Sequence, residues 1–413
     1  GNVIQLTDPR GITHKTNYDA YGRITTTYQP NSASTIRTST TYTSAGSGFV
    51  DSLQINDDSG NPYRQYSYRY DSEGRVTTLK LGGISQETLT YDESRDNGKG
   101  KLTTAENTDA KTQYDYDNLG RVKKETVTVK ALNKTYAMST QYNATNGHIS
   151  DTIFPDNKAI HYDYDSHQRV SKISYNGQTI ITYTYNPNGT IQTVTYGNGT
   201  AIGYTYERDV LLSQMTAKDA ANTTVYQQSY NYSVPGTVTQ TQKTDLITNT
   251  GTMTRGYGYS INDELLSVSV NNTPYYTYAY DANGNHLRFE TPNHKQLGQN
   301  NMTIASAKDQ PTEKRLKDGR KLTLTWDPEG NLSNKKRILA DGTTAENIDY
   351  QYNYQGQLQT VKSNGSQIAT YGYDHKKQRI YSNTNSSDCT GTKSYYWDQG
   401  RHIVNKPYLD LKN

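Results

Sequence analysis

The chain has 413 residues, of which 31% are hydrophobic, below the roughly 45–50% of ordinary globular domains, so a thick aliphatic core is excluded. Lys plus Arg number 43 against 40 Asp plus Glu, a net charge of +3, too balanced for a surface that seeks nucleic acid or anionic membranes. Disorder is excluded as well, because 39 tyrosines and abundant threonine favour a pleated, half-buried surface.

Tyrosine buries its ring and keeps its hydroxyl for water or a polar neighbour, which suits walls that are wet on one side. The one cysteine, Cys389, excludes an intramolecular disulfide framework and any cysteine-built metal site. No apolar run of about 18 residues and no charged-then-apolar leader occur. Gly1 to Pro9 reads as the middle of a repeat, so an excised piece of a longer protein is expected.

The most regular stretch is Tyr114 to Val122, Y-D-Y-D-N-L-G-R-V. Its two tyrosines share one strand face, and Asp117 and Gly120 start and end a type I turn whose glycine takes positive φ in a bulged hairpin. Arg121 and Val122 begin the next strand. Marking the aromatic before each such turn gives Tyr18, Tyr42, Tyr70, Tyr91, Tyr116, Tyr142, Tyr164, Tyr185, Tyr206, Tyr232, Tyr259, Tyr280, Trp326, Tyr354, Tyr373 and Trp397. Most steps are 19 to 28 residues, and the 46-residue step from Tyr280 to Trp326 is divided by a degenerate unit at Asn301-Met-Thr-Ile304. The chain therefore reads as one array, residues 1–413, of roughly 17 units.

The turn chemistry recurs at Asp19-Ala-Tyr-Gly22, Asp71-Ser-Glu-Gly74, Asn186-Pro-Asn-Gly189, Asp281-Ala-Asn-Gly284 and Asp327-Pro-Glu-Gly330. At Asp165-Ser-His-Gln168 and Asp374-His-Lys-Lys-Gln378 the glycine is lost, yet an Arg-aliphatic pair still follows. Second turns lie between units at Asn176-Gly177, Gly197-Asn-Gly199 and Asn364-Gly365. No window shows a 3.6-residue apolar stripe, so helix is not expected. Residues 286–321 are irregular and basic, with Lys295, Lys308, Lys314, Arg315, Lys317, Arg320 and Lys321; they read as a polyanion-binding loop or, with mixed acids and missing aromatics favouring it, as a solvated insertion around the degenerate repeat. About 34 strands at roughly 4.8 Å make a ribbon on the order of 160 Å long, which must coil on itself and, with few aliphatics, stay hollow or partly filled.

The Y-x-Y-D-x-x-G-R-[VIL] and D-x-x-G-N pattern, from Tyr18 to Trp397, resembles the YD or RHS repeats of bacterial polymorphic toxins, of the B and C components of insecticidal toxin complexes, and of teneurins. The resemblance implies an all-β hairpin ribbon coiled into a hollow or partly closed shell that sequesters a toxic C-terminal polypeptide until delivery. It implies a secreted or bacterial cell-surface location within a longer protein, and as partners a toxin cargo or other parent segments, with a delivery apparatus or toxin-complex subunit. The family's plug carries D-P-x-G motifs and cleaving aspartates. Asp327-Pro-Glu-Gly330 has those letters, but repeats follow it, so it reads as a turn, and the chain stops at Asn413; autoproteolysis and toxicity are not assigned. The other reading is a surface adhesion or glycan-binding module, with tyrosines stacking on sugar rings.

The residues singled out are structural: Tyr18, Asp19, Gly22, Tyr70, Asp71, Gly74, Tyr116, Asp117, Gly120, Arg121, Tyr164, Asp165, Tyr280, Asp281, Gly284, Trp326, Asp327 and Gly330. No catalytic, cofactor or metal residues are assigned. The eight histidines are scattered, and Asp163-Tyr-Asp165-Ser-His167, the nearest approach to a triad, falls on a turn of the repeat. Sequons such as Asn143-Ala-Thr145 and Asn198-Gly-Thr200 are expected by composition alone.

Overall fold

Alternation of tyrosine or threonine with polar residues has one physical outcome here, the half-buried strand. In Ala110–Tyr116 every second residue, Ala110, Thr112, Tyr114 and Tyr116, is buried and the intervening ones are half-buried. The computed structural model describes residues 2–32, 34–43, 48–208, 210–233, 236–247, 251–290, 302–305, 308–316, 318–386, 389–398 and 401–407. Among them are 35 strands and one 3₁₀ turn, Lys130–Leu132, which ends on Asn133 at φ 49°. No α-helix occurs among the described residues.

Strands pair antiparallel with their neighbours in sequence, as Ala110–Tyr116 does with Val122–Val129. The pairing slips by one residue at the aromatic before the turn. Asp115 faces Lys124 but Tyr116 faces Val122, and the same slip recurs at Tyr18, Tyr70, Tyr164, Tyr185, Tyr206, Trp326 and Tyr373. A bulge at the same place in each of these hairpins adds twist at that place.

The chain divides into two compact units. The first comprises Gly1–Tyr136, Tyr280–Leu287 and Gln299–Asn413, and so joins early and late repeats. Its apolar core is thin: Ala110, Val129 and Ile380 form one cluster, Ile348, Val361 and Ala369 another. Fully buried polar residues, Thr103, Thr112 and Asp374, lie alongside, with exposures of 0, 0 and 1%. The second unit comprises Ala137–Ala279 and Arg288–Gly298; in it Phe154, Val194, Val268 and Thr152 are buried. Of the basic stretch 286–321, strands His286–Glu290, Met302–Ala305 and Gln310–Arg315 are described, with Lys321 opening the next strand. Residues 291–301, 306, 307 and 317 lie outside the described residues, and so does Gly400 after Trp397.

Candidate functional site

The repeated turn is built from one carboxylate. Asp117 Oδ1 accepts from the N–H groups of Leu119 and Arg121, both at 2.9 Å, and Oδ2 accepts from Arg121 Nε at 2.7 Å. The Gly120 N–H donates to Asp117 O at 3.0 Å, with Gly120 at φ 75°, and the Asp117 N–H donates to Arg121 O at 2.9 Å. These bonds define a type I turn with a glycine bulge. Burial pushes the Asp117 carboxyl up, but the Arg121 N–H and guanidinium outweigh it and hold it below the usual carboxylate range.

Asp19 with Arg23, Asp71 with Arg75 and Asp165 with Arg169 repeat this geometry. At Asp281 and Asp327 the partner is an asparagine amide, Asn285 and Asn331, each at 3.0 Å. Gly22, Gly74, Gly284 and Gly330 all have positive φ, from 78 to 87°. Where glycine is missing, Gln168 and Lys377 adopt φ 65 and 67°, a conformation that strains a side chain.

A second bond, which links unit to unit, has no local sequence signature. At most of the described turns the preceding aromatic donates to a carbonyl at or near the start of the strand that follows the turn before. Tyr70 bonds Val50 O, Tyr116 bonds Leu102 O, Tyr164 bonds Ile149 O, and Trp326 Nε1 bonds Pro311 O, at 2.6 to 2.8 Å. Tyr18 reaches Val3 O at 2.9 Å. The turn arginine joins in, since the guanidinium carbons of Arg23, Arg75 and Arg169 lie 4.2, 4.4 and 4.3 Å from the ring centroids of Tyr42, Tyr91 and Tyr185, the aromatics of the following units. One unit's spacing corrects the sequence assignment. Tyr352, not Tyr354, precedes the turn and bonds Leu332 O at 2.9 Å, because Asn353 holds the Asp position. Tyr354 sits inside the turn. The side chain of Trp397 lies outside the described residues.

In the first unit, three successive late turns press side chains onto strands of early repeats. Glu329 accepts from Tyr66 Oη at 2.9 Å and pairs with Arg64 at 2.7 Å. Tyr354 Oη donates to Glu87 at 3.1 Å. His375 Nε2 lies 3.1 Å from Tyr114 Oη, and Lys376 Nζ reaches both oxygens of Glu125 at 2.8 Å. The Tyr66, Glu87 and Tyr114 contacts join residues 263, 267 and 261 apart, a near-constant offset. Backbone and side chains bond along the same line: the Tyr373 N–H donates to Asp109 Oδ2 and Asn107 Nδ2 to Tyr373 O, both at 3.0 Å. A separate knot ties Arg10 to Asp281 and Asp309, with Asn283 Nδ2 on Asp8 at 2.9 Å.

Burial along this seam reverses the titration of the free turns. It pushes the Asp374 carboxyl up to about 6 and the His375 imidazole down to about 4. It also raises Asp109, against the Tyr373 N–H, and pushes the Tyr66 hydroxyl up to about 12. Elsewhere, Asp165 Oδ1 accepts from the N–H of His167 at 2.8 Å, while Asp163 pairs with Lys172 at 2.9 Å. Ser166 Oγ is exposed and 3.3 Å from His167 Nδ1, a turn rather than a sheltered nucleophile. Among the described residues no three metal-ligating side chains converge, and no helix is long and apolar enough to cross a membrane.

A family model described as the teneurin YD-shell matches residues 210–380. No curated protein matches the chain in sequence. Among solved structures, the crystal structure of TcdB2-TccC3-TEV matches with a TM-score of 0.59 at 15% identity, covering 97% of this chain and 25% of that one. TcdB2-TccC3 matches with a TM-score of 0.57 at 14% identity, covering 98% and 27%. The Photorhabdus luminescens Tc holotoxin pore matches with a TM-score of 0.56 at 14% identity, covering 96% and 25%. At such identities the likeness is one of fold, and the chain spans about a quarter of the length of these solved chains.

Proposed function

We propose that this chain, whose residues 210–380 match the teneurin YD-shell model and whose fold is like that of TcdB2-TccC3, is an RHS/YD-repeat wall segment, without catalysis of its own, of a shell that encloses a polypeptide cargo until delivery. The cargo in this reading is a toxin carried by a longer parent protein, which acts outside the producing cell or at its surface. A delivery apparatus or toxin-complex subunit would be its partner.

The observation that carries the proposal is the pair of bonding systems. The aromatic-to-carbonyl bond ties unit to preceding unit at most of the described repeats, as in Tyr185 to Val170 O at 2.7 Å. The seam ties early repeats to late ones at offsets of 251 to 289 residues, as in Tyr373 to Asp109 at 264. A surface held in both directions resists opening between its strands, which is the property a container needs and an isolated binding module does not. The polar, tyrosine-rich strands offer an enclosed chain few apolar patches to fold against.

Limited proteolysis of the full-length protein tests this. An enclosed segment should be cut many-fold more slowly in the native protein than in one whose seam is broken by Arg64→Ala. Equal cutting rates in both would overturn the enclosure.

A further inference from the structure

A cavity of about 450 Å³ opens along the seam of the first unit, a size typical of small-ligand sites. Its floor is apolar. Leu53 and Ile55 stand on one strand, two residues apart and hence on one face, and Leu79 two strands away joins them.

The polar groups around that floor are incompletely answered. The Glu87 carboxylate accepts from Tyr354 Oη at 3.1 Å, and burial pushes its titration up. Lys377 attracts it but forms no ion pair within 4 Å among the described residues. Lys377 also occupies the turn position that is glycine at Gly22, Gly74, Gly120, Gly284, Gly330 and Gly356, at φ 67°.

We infer that this cavity binds an α-ammonium group bearing an apolar side chain. The Glu87 carboxylate accepts only from Tyr354 among the described residues, which leaves acceptor positions for a donor with several N–H bonds, and an ammonium supplies three. Leu53, Ile55 and Leu79 take the side chain. Lys377 takes the oxygen on the next carbon, which is a carboxylate in a free amino acid and a carbonyl in a peptide amino terminus. The inference goes beyond the wall reading; its failure would remove the site and leave proteolytic protection where it was.

Calorimetric titration of the 413-residue chain with leucine, Leu-Gly-Gly and N-acetyl-leucine tests it. Leucine or the tripeptide should bind, and N-acetyl-leucine at least tenfold more weakly. Leucine alone identifies a free amino acid as ligand, and binding of both identifies the shared group. Glu87→Gln should abolish binding while still accepting from Tyr354. Lys377→Gly should raise the melting temperature yet weaken leucine binding several-fold, which separates loss of the site from loss of fold. Glu125→Gln, outside the cavity, should bind as the parent does. Equal binding of the acetylated compound, no binding of either amine at millimolar concentration, or undiminished binding by Glu87→Gln would each overturn the inference.

Discussion

The hydroxyl of Tyr206 donates to the carbonyl oxygen of Ile191 at 2.9 Å, across 15 residues that run from the strand after one turn to the aromatic before the next. The ring fills the step between two units while its polar end satisfies a backbone group that the bulge leaves free. Phenylalanine could do only the first. A chain with 3 Phe and 39 Tyr is one in which both tasks recur.

Tyr206→Phe should therefore cost about 0.5–1.5 kcal/mol, the net worth of one hydrogen bond, with the ring packing intact. Tyr204, one strand face along, makes no hydroxyl hydrogen bond among the described residues, so Tyr204→Phe should be close to neutral. Urea unfolding of the two variants checks the difference. Equal losses would mean that the hydroxyl of Tyr206 is not what links the units.

Turn geometry predicts opposite signs at two positions. Gln168 is strained at φ 65°, so Gln168→Gly should stabilise by about 1 kcal/mol. Gly74 is at φ 79°, and a Cβ there would run into the Phe49 ring, itself stacked on Tyr70 at 4.8 Å. Gly189, at φ 89°, has open space instead. Gly74→Ala should thus lower the melting temperature more than Gly189→Ala, and Gly120→Val should cost about 1–3 kcal/mol.

The seam rests on half-buried ion pairs. Arg64 and Glu329 are 14 and 16% exposed, and Arg64 also donates to the carbonyl oxygens of Tyr352 and Asn353. Arg64→Ala would leave Glu329 uncompensated and should cost about 3 kcal/mol. Replacing both partners by methionine should cost less than the single change. Hydrogen exchange would then quicken at the Tyr373 N–H, on the same seam, and remain unchanged in residues 150–230.

Asp374 and His375 respond to pH in opposite directions. Asp374 titrates near 6 in the folded chain against 3.8 ordinarily, so its stabilising contribution is present at low pH and is lost as pH rises through about 6. His375 titrates near 4 against 6.5, so its contribution is present above 6.5 and is lost as pH falls toward 4. Each amounts to about 3 kcal/mol, and between pH 4 and 6.5 they offset. Relative to the parent, His375→Gln should gain stability as pH falls from 7 to 4, and Asp374→Asn should lose it. Melting temperatures across that range check both signs; parallel profiles for the two variants would contradict the assignment.

Much of the fold is legible in the sequence because its signals are local. The period-two tyrosines of Tyr114–Tyr116, the Asp and Gly of each turn, and Asn176-Gly177, whose residues both take positive φ at 47 and 81°, act within a few residues. What is not legible is what the chain does at a distance. The bond from Tyr206 to Ile191 spans a hairpin of 15 residues, but the same bond spans 18 at Tyr42 and 20 at Tyr70, so no single spacing announces it. The approach of His375 to Tyr114, 261 residues away, depends on twist accumulated over many strands. Tyr354 was misplaced because asparagine replaces aspartate at residue 353, moving the true marker to Tyr352.

Small-angle X-ray scattering of the monomeric chain tests the wall most directly. A compact solid protein of this length has a radius of gyration of about 22 Å. A wall segment that bounds a space predicts a value clearly above that, with a pair-distance distribution fitted by a hollow body. A value at 22 Å with a solid profile would contradict the shell and leave no room for a cargo.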